Sequence, residues 1–492
     1  MLEIIIIIKI ILFIIIIMKF INRKRELQRL DQVVESKKGG LIVIWGRRRL
    51  GKTRLLLEWS QRHKGIYSVA DASAPPVQRR YLAEAMEARF PHFSQVEYPD
   101  WAALLNRLAE EAQRSNWHGP LILDEIPYLA SVSPELPSVL QRWIDHEAKA
   151  AKLVIVLAGS SQRMMQGMVL EAEAPLYGRA CQLLKLSPLP AGHIGDALSI
   201  KEPKRMVEAY TLWGGVPRYW ELAKPFEEAS AAADRLVLDP MGPLHEEPQR
   251  LLLEETPPAL RLRPILDAIG MGDRRLSGIA SRLQQKATSL TRPLVNLQEL
   301  DLVMREVPFG ESEKSSKRAL YRIADPFLRL WFTVVAPRRA LMAAAPSSVR
   351  QRCFSKAFSA LIAETWEELC RKAVPLFEEG IDLGIAGPWG PARRFWHGKD
   401  SEWDVVSASL DGTRLLLGEA KWSAQDVTAD FVYKSTQELI AKGIPSTCRA
   451  AQRVEYALFV PRLPQRSQWP FGDNVHLVDA RSIMEVLRDE AA

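Results

Sequence analysis

Ile42-Val43-Ile44-Trp45-Gly46-Arg47-Arg48-Arg49-Leu50-Gly51-Lys52-Thr53 decides how the rest of the chain is read. The four apolar residues predict a buried strand. Arg54-Leu55-Leu56-Leu57-Glu58-Trp59, rich in helix formers and free of breakers, predicts a helix. Between them, Gly46, Gly51, Lys52 and Thr53 have the spacing of a phosphate-binding loop. Glycines let the backbone turn its N–H groups inward around phosphate oxygens, and the helix N-terminus adds a favourable dipole. Lys52 brings a mobile cation to the β and γ phosphates, and Thr53 offers a hydroxyl to magnesium. Arg47, Arg48, Arg49 and Leu50 complete the nucleotide-binding stretch. The three arginines either flank the nucleotide or face solvent on a loop whose backbone does the binding.

Working outward, Leu121-Ile122-Leu123-Asp124-Glu125 is an apolar strand that ends in two acids. Behind a phosphate loop, the first acid is expected to hold the magnesium water shell and the second to polarise the attacking water. A third apolar strand, 153–158, runs into Gly159-Ser160-Ser161, where a serine either senses the γ-phosphate or simply forms a turn. A strand at 66–69 and helices at 22–34, 81–89, 101–113 and 136–148 fill the intervals. This alternation predicts an α/β fold with a parallel sheet. Residues 23–64 carry 13 Lys/Arg against 4 Asp/Glu, so the start of this domain is strongly basic.

Composition sets wider bounds. A chain of 492 residues is too long for one core and implies several domains. The 47 % hydrophobic and 25 % charged content is that of folded protein, which argues against a disordered or fibrous chain. Net charge of +7 permits nucleic-acid contact without requiring it. Cys181, Cys353, Cys370 and Cys448 are widely spaced with no CxxC pair, so neither a disulfide framework nor a zinc site is implied and a reducing cytoplasm is the default. Residues 4–18 are nearly pure isoleucine, broken by Lys9, Leu12 and Phe13. That tract is shorter than the about 20 apolar residues a membrane span needs. The preferred reading is a start at Met18, with a membrane anchor as the alternative; membrane contact is not expected.

Downstream, Arg179 follows Tyr177-Gly178, before an apolar run at 183–189. It either supplies charge to the transferring phosphoryl group or forms a surface salt bridge. Gly214-Gly215-Val216-Pro217-Arg218-Tyr219 forces a helix stop and a bend. Pro257-Pro258 marks a boundary. Three helical segments, 263–270, 276–284 and 291–300, precede two extended runs at 302–309 and 319–323, the order of a winged helix. Lys314, Lys317 and Arg318 lie in the loop between the runs, as a wing touching phosphates would require. The third helix offers only Arg292, Asn296 and Gln298 for base reading, so a wing that packs on protein is an equal alternative. Further on, Asp404 lies within the extended stretch 402–406 and Glu419-Ala420-Lys421 on the next, the two joined by a turn around Asp411-Gly412, with Glu367 on a preceding helix. Side chains two apart on a strand share a face, so Lys421 accompanies Glu419. An Asp and a Glu sharing a divalent ion beside a lysine form a metal-dependent nuclease arrangement, although Glu-x-Lys alone is a weak signal.

Residues 20–335 resemble the prokaryotic ATPase family of the AAA-like, STAND group, typified in archaea. The resemblance rests on Asn22-Arg23 with Glu26, the phosphate loop, Leu123-Asp124-Glu125, Gly159-Ser160-Ser161, Tyr177-Gly178-Arg179 and the Gly214–Tyr219 motif. It implies ATP and Mg²⁺ as ligands, Glu125 and Arg179 as catalytic, Thr53 and Asp124 as metal-binding, and Arg218 as a sensing arginine. It also implies a winged helix followed by Asp325-Pro326-Phe327-Leu328-Arg329-Leu330-Trp331-Phe332. Residues 355–480 resemble the restriction-endonuclease-like domain that often closes this family, with Glu367, Asp404, Glu419 and Lys421 at its site and Gln437 as a further match. The expected organisation is a phosphate-loop domain over 20–200, a helical lid over 201–257, a winged helix over 258–335 and a nuclease-like domain over 336–485. Residues 1–19 stay outside the fold. The expected function is ATP binding and hydrolysis acting on or regulated by DNA. Alternatives are a switch whose winged helix and tail bind protein or a second copy, and a nuclease coupled to the ATPase.

Overall fold

Leu41, Ile42, Val43 and Ile44 are no more than 1 % exposed, because the strand they form is covered on both faces. That burial is why the run is continuously apolar rather than alternating. The computed structural model describes residues 20–255, 262–314, 316–377, 385, 387–398, 400–423, 425–448, 453–464 and 469–488. The isoleucine tract and the Pro257-Pro258 boundary lie outside them. The chain divides into two units, Met1–Pro188 and Leu189–Ala492. Among the described residues, no helix is long and apolar enough to cross a membrane.

The first unit holds β1 (Gly40–Trp45), β2 (Ile66–Val69), β3 (Leu121–Asp124), β4 (Val154–Gly159) and β5 (Ala180–Lys185). They form one sheet in the order β2-β3-β4-β1-β5, every pair parallel. Trp45 is in register with Gly159, and Leu123 with Leu157. The phosphate loop, the acid pair and Gly159-Ser160 therefore emerge from one edge of the sheet, where α/β folds place ligands. Trp101, Leu104, Leu105, Leu108 and Trp143 pack in the core under that sheet. One element differs from the sequence reading and another was left unassigned by it. The helix expected at 81–89 is Pro75–Glu87, because Ala74 is extended and prolines are favoured in a first helical turn. The apolar run at 183–189 is only partly strand, since β5 is a half-exposed edge that ends at Lys185.

In the second unit, Gly214 takes φ 54° and stops the helix Pro203–Trp213. The carbonyls of this bend are used: Gly214 accepts from Trp220 Nε1 at 2.7 Å, and Gly215 from the Leu189 amide at 2.7 Å. Helices Arg263–Gly270, Leu276–Arg282 and Ala287–Glu299 precede a hairpin of β6 (Val303–Glu306) and β7 (Leu320–Ile323). A 27-residue helix, Ser347–Ala373, then leads to a second α/β region. There β8 (Arg393–Phe395), β9 (Trp403–Ala408), β10 (Arg414–Ala420), β11 (Arg453–Val460) and β12 (Val475–Asp479) form a mixed sheet in the order β12-β11-β10-β9-β8. β9 and β10 are the antiparallel hairpin expected around Asp411-Gly412; β11 and β12, absent from the sequence reading, extend it in parallel.

The Asp325–Phe332 motif is a packing device. Asp325 caps its helix through the Leu328 amide, Phe327 lies 4.6 Å from Tyr219, and buried Trp331 donates to the His245 carbonyl at 2.6 Å. Arg329 of that motif reaches Glu368 at 2.7 Å. Arg322 from β7 joins them, 2.7 Å from Glu364 and in contact with Glu306. Lys372 meets Glu368 at 2.8 Å. Burial alone would raise the Glu368 carboxyl; Lys372, Arg329 and Arg322 outweigh it and hold it well below the ordinary range.

Removing Glu368 leaves Arg329 and Arg322 buried without that counter-charge. Glu368→Ala is expected to lower stability by about 3 kcal/mol in urea denaturation. Because the native carboxyl is depressed, its contribution is fully present above the unfolded value, about pH 4.3. It is lost only as pH falls through the native value. The wild-type and variant stabilities should therefore converge on acidification from pH 4 and run parallel above pH 5.

Candidate functional site

The loop between β1 and helix Lys52–Arg62 is closed by backbone contacts that only particular residues permit. Gly46 has φ 150°, and a Cβ there would stand 2.6 Å from the Leu186 carbonyl. Gly51 has φ 87°, in the left-handed region that disfavours side chains. Arg23 braces the loop from outside: Nη2 donates to the Leu50 carbonyl at 2.8 Å and to the Ser187 carbonyl at 2.8 Å. Glu26 holds the other guanidinium nitrogen at 2.7 Å. The Asn22-Arg23 motif thus has a physical task, joining residues 27 and 164 positions apart, a link no local pattern could reveal.

Lys52 is 5 % exposed, and its ammonium donates to the carbonyls of Gly46 at 2.6 Å and Arg47 at 3.2 Å. Thr53 Oγ1 donates to Asp124 Oδ2 at 2.9 Å, and Tyr67 donates to the same oxygen at 2.8 Å. The Glu125 amide donates to Asp124 Oδ1 at 2.9 Å. Burial, then the charge of Glu125, raises the Asp124 carboxyl, while Tyr67, Thr53 and Lys52 oppose the rise. Glu125 adopts φ 55° at the entrance to a short helix, and its carboxylate accepts from the Ser160 amide at 3.2 Å and from the Ser160 hydroxyl. Of the loop arginines, Arg47 is buried and Arg48 donates to the Tyr128 hydroxyl at 2.9 Å. Leu50 is buried as well, and Arg49 takes φ 68°. Gly46 to Thr53, Asp124, Glu125 and Ser160 are therefore brought together. Tyr67, on β2, was missed; a tyrosine in a short strand carries no signal of its own.

Of the two readings left open for Arg179, the structure shows the surface salt bridge. The residue precedes β5, whose first residue pairs with Leu41 at the start of β1, whereas the phosphate loop leaves the end of β1. The intervening length is about 13 Å at the usual strand rise. Arg179 instead makes a three-bond contact to Asp145, at 2.9 to 3.1 Å, and donates to the Pro175 and Tyr177 carbonyls. Within this chain it does not reach the loop. Arg218 lies in the second unit, 54 % exposed, paired with Glu221 at 2.8 Å.

A second group of acids lies at the β9–β10 hairpin. Val405 pairs with Gly418, so Asp404 and Glu419 follow on facing strands, and Asp404 Oδ2 accepts from the Ala420 amide at 3.0 Å. Burial, then the charges of Glu367 and Glu419, push the Asp404 carboxyl up to about 6. Glu419 is 3.0 Å from Lys421 and also meets Lys442, a lysine the sequence reading did not include. Glu367 is 3.5 Å from Arg371 and 3.8 Å from Arg394. Gln437 lies on helix Ala429–Ala441 after β10. Among the described residues, no cluster of three His, Cys, Asp or Glu side chains is disposed to hold a metal ion.

Residues 20–222 match a family described as an ATPase domain predominantly from Archaea. Residues 331–432 match a family of archaeal and bacterial proteins of unknown function. An uncharacterized protein of Methanocaldococcus jannaschii is 28 % identical over 404 residues, 82 % of this chain and 87 % of the relative. An uncharacterized ATP-binding protein of the same organism is 42 % identical over 48 residues, 10 % of this chain and 81 % of that one. The solved Walker-type ATPase of Pyrococcus abyssi shares the fold at a TM-score of 0.50 and 20 % identity, covering 64 % of this chain and 96 % of that one. The chain accordingly carries, over residues 20–222, an ATPase domain of that predominantly archaeal family, followed over residues 331–432 by the archaeal and bacterial domain of unknown function.

Proposed function

We propose that ATP occupies the Gly46–Thr53 loop with Mg²⁺, and that the second unit couples its hydrolysis to DNA. The observation that carries the nucleotide reading is the convergence of Lys52, Thr53, Asp124 and Glu125 at one sheet edge. In this reading Lys52 exchanges the Gly46 and Arg47 carbonyls for the β and γ phosphates. A hydroxyl and a carboxylate oxygen 2.9 Å apart, Thr53 and Asp124, are the hard donors Mg²⁺ takes. The ion, when bound, neutralises charge on the phosphate oxygens. Glu125 orients and polarises the attacking water, and Ser160 keeps its carboxylate aimed. Ser160 then reports the state of the γ-phosphate to β4.

The second unit reads as a winged helix followed by a restriction-endonuclease-like domain. The three helices before hairpin β6–β7 support the first part, and the position of Asp404 and Glu419 just beyond the Val405–Gly418 pair of β9 and β10 supports the second. DNA is the partner this pairing of domains fits best. A DNA-stimulated ATPase rate, measured with duplex, branched and single-stranded DNA, tests that coupling; a rate indifferent to all three contradicts it.

Lys52→Ala is expected to abolish ATP binding in calorimetric titration, by loss of the cation that faces the phosphates. Glu125→Gln should keep ATP but slow single-turnover hydrolysis by about 10²-fold or more. Normal turnover in that variant assigns the water-activating role elsewhere. Arg23→Ala strands two carbonyls at the rim of the loop, and is expected to cost about 2 kcal/mol in thermal or chemical denaturation. Its ATP affinity should fall as well, which separates bracing of the loop from a purely structural role at the N-terminus.

A further inference from the structure

The second unit contains a groove of about 870 Å³ between the hairpin β6–β7, helix Ala287–Glu299 and the segments 368–375 and 391–396. Its walls carry six cations, Arg305, Lys314, Arg371, Lys372, Arg393 and Arg394, against three carboxylates, Glu306, Glu313 and Glu368. Some of these cations are committed to the fold. Arg371 donates to the Asp404 carbonyl at 2.8 Å, and Lys372 pairs with Glu368. Others are held only at the rim: Arg393 contacts Glu313, which is 71 % exposed, and the Lys314 ammonium has no ionic partner among the described residues. Two aromatic rings, Tyr321 and Trp396, line the same groove, and the Arg394 guanidinium lies 5.7 Å from the Trp396 ring centre. Cations along a channel with interleaved aromatic rings are what a nucleic-acid strand with unstacked bases requires.

Size and orientation select the form of nucleic acid. The groove falls within the range of about 300–1,000 Å³ typical of sites that enclose small ligands, which suits a few nucleotides of one strand rather than a duplex. The helix that a winged helix would lay in a major groove turns Thr291, Val295 and Gln298 into this groove instead. Gln298 is also occupied, donating to the Leu294 carbonyl at 3.0 Å. Direct duplex reading by that face is therefore poorly served. The groove leads to the acids of the mixed sheet: Arg371 and Arg394, which line it, are 3.5 and 3.8 Å from Glu367.

We propose that this groove binds single-stranded nucleic acid, with Lys314, Arg393 and Arg394 on phosphates and Trp396 under a base, and presents the strand to Glu367 and Asp404. The proposal rests on the reading that the second unit engages nucleic acid. It adds the form of the ligand and the place where it lies.

Fluorescence anisotropy with the full chain tests it, using a labelled oligothymidylate and a labelled duplex of the same length. The single strand should bind more tightly than the duplex, with affinity falling steeply as salt rises. Lys314→Glu and Arg393→Glu should each weaken the single strand about tenfold and leave ATP affinity unchanged. Trp396→Leu should weaken it similarly, while Trp396→Phe, which keeps a ring, restores binding. Duplex binding that matches or exceeds single-strand binding and ignores these four variants overturns the groove proposal and leaves the wider DNA reading standing. Absence of binding to both probes overturns both. Equal binding of polyglutamate, displaced by the same variants, shows a general anion channel and overturns the assignment to nucleic acid.

Discussion

The close approach of Gly46 to the Leu186 carbonyl is the contact on which the nucleotide site depends. It lets the chain leave β1, turn at once, and begin a helix at Lys52 with its amides facing the loop. A side chain at Gly46 would meet backbone, which cannot move aside without displacing the chain leaving β5. Arg23 ties the same loop to Ser187, so the start of the domain and the end of its last strand hold one another in place. The polar side chains gathered in the first unit are referenced to that closed loop. Lys52 is oriented by it, Thr53 reaches Asp124 from it, and Glu125 is presented beside it.

The parallel sheet supplies the second constraint. Placing β4 between β1 and β3 puts Ser160 next to Glu125, although the two are 35 positions apart. The bonds to Ser160 restrain the Glu125 carboxylate, as the proposed role in activating water requires. Ser160 thereby links the acid to the end of β4.

What the sequence made legible follows from how local each signal is. The strand, loop and helix at residues 42–59 are contiguous, so periodicity and glycine spacing suffice. Asp124-Glu125 gains meaning from an apolar strand before it and a phosphate loop upstream. Ser160 was ambiguous because Gly-Ser-Ser is an ordinary turn; its role depends on the strand order, which periodicity does not encode. Arg179 stayed open between two readings because a motif places a residue in the chain, whereas its position at the far end of the sheet follows from the register of β5. In the second unit, the Asp404–Glu419 hairpin was readable from its turn. The charged cluster of Arg322, Arg329, Glu364 and Glu368 was not, since buried ions look like surface ions in a sequence. Lys442 escaped for the same reason, reaching Glu419 from the end of a helix 23 positions on.

The most direct measurement is phosphate release from ATP by the full chain as Mg²⁺ is titrated from zero, with Thr53→Ala alongside. The account predicts that release rises with the ion in the wild type and that Thr53→Ala needs a higher Mg²⁺ concentration for the same rate. Release that proceeds unchanged in the presence of a chelator, or a Mg²⁺ response identical in the two proteins, would contradict it.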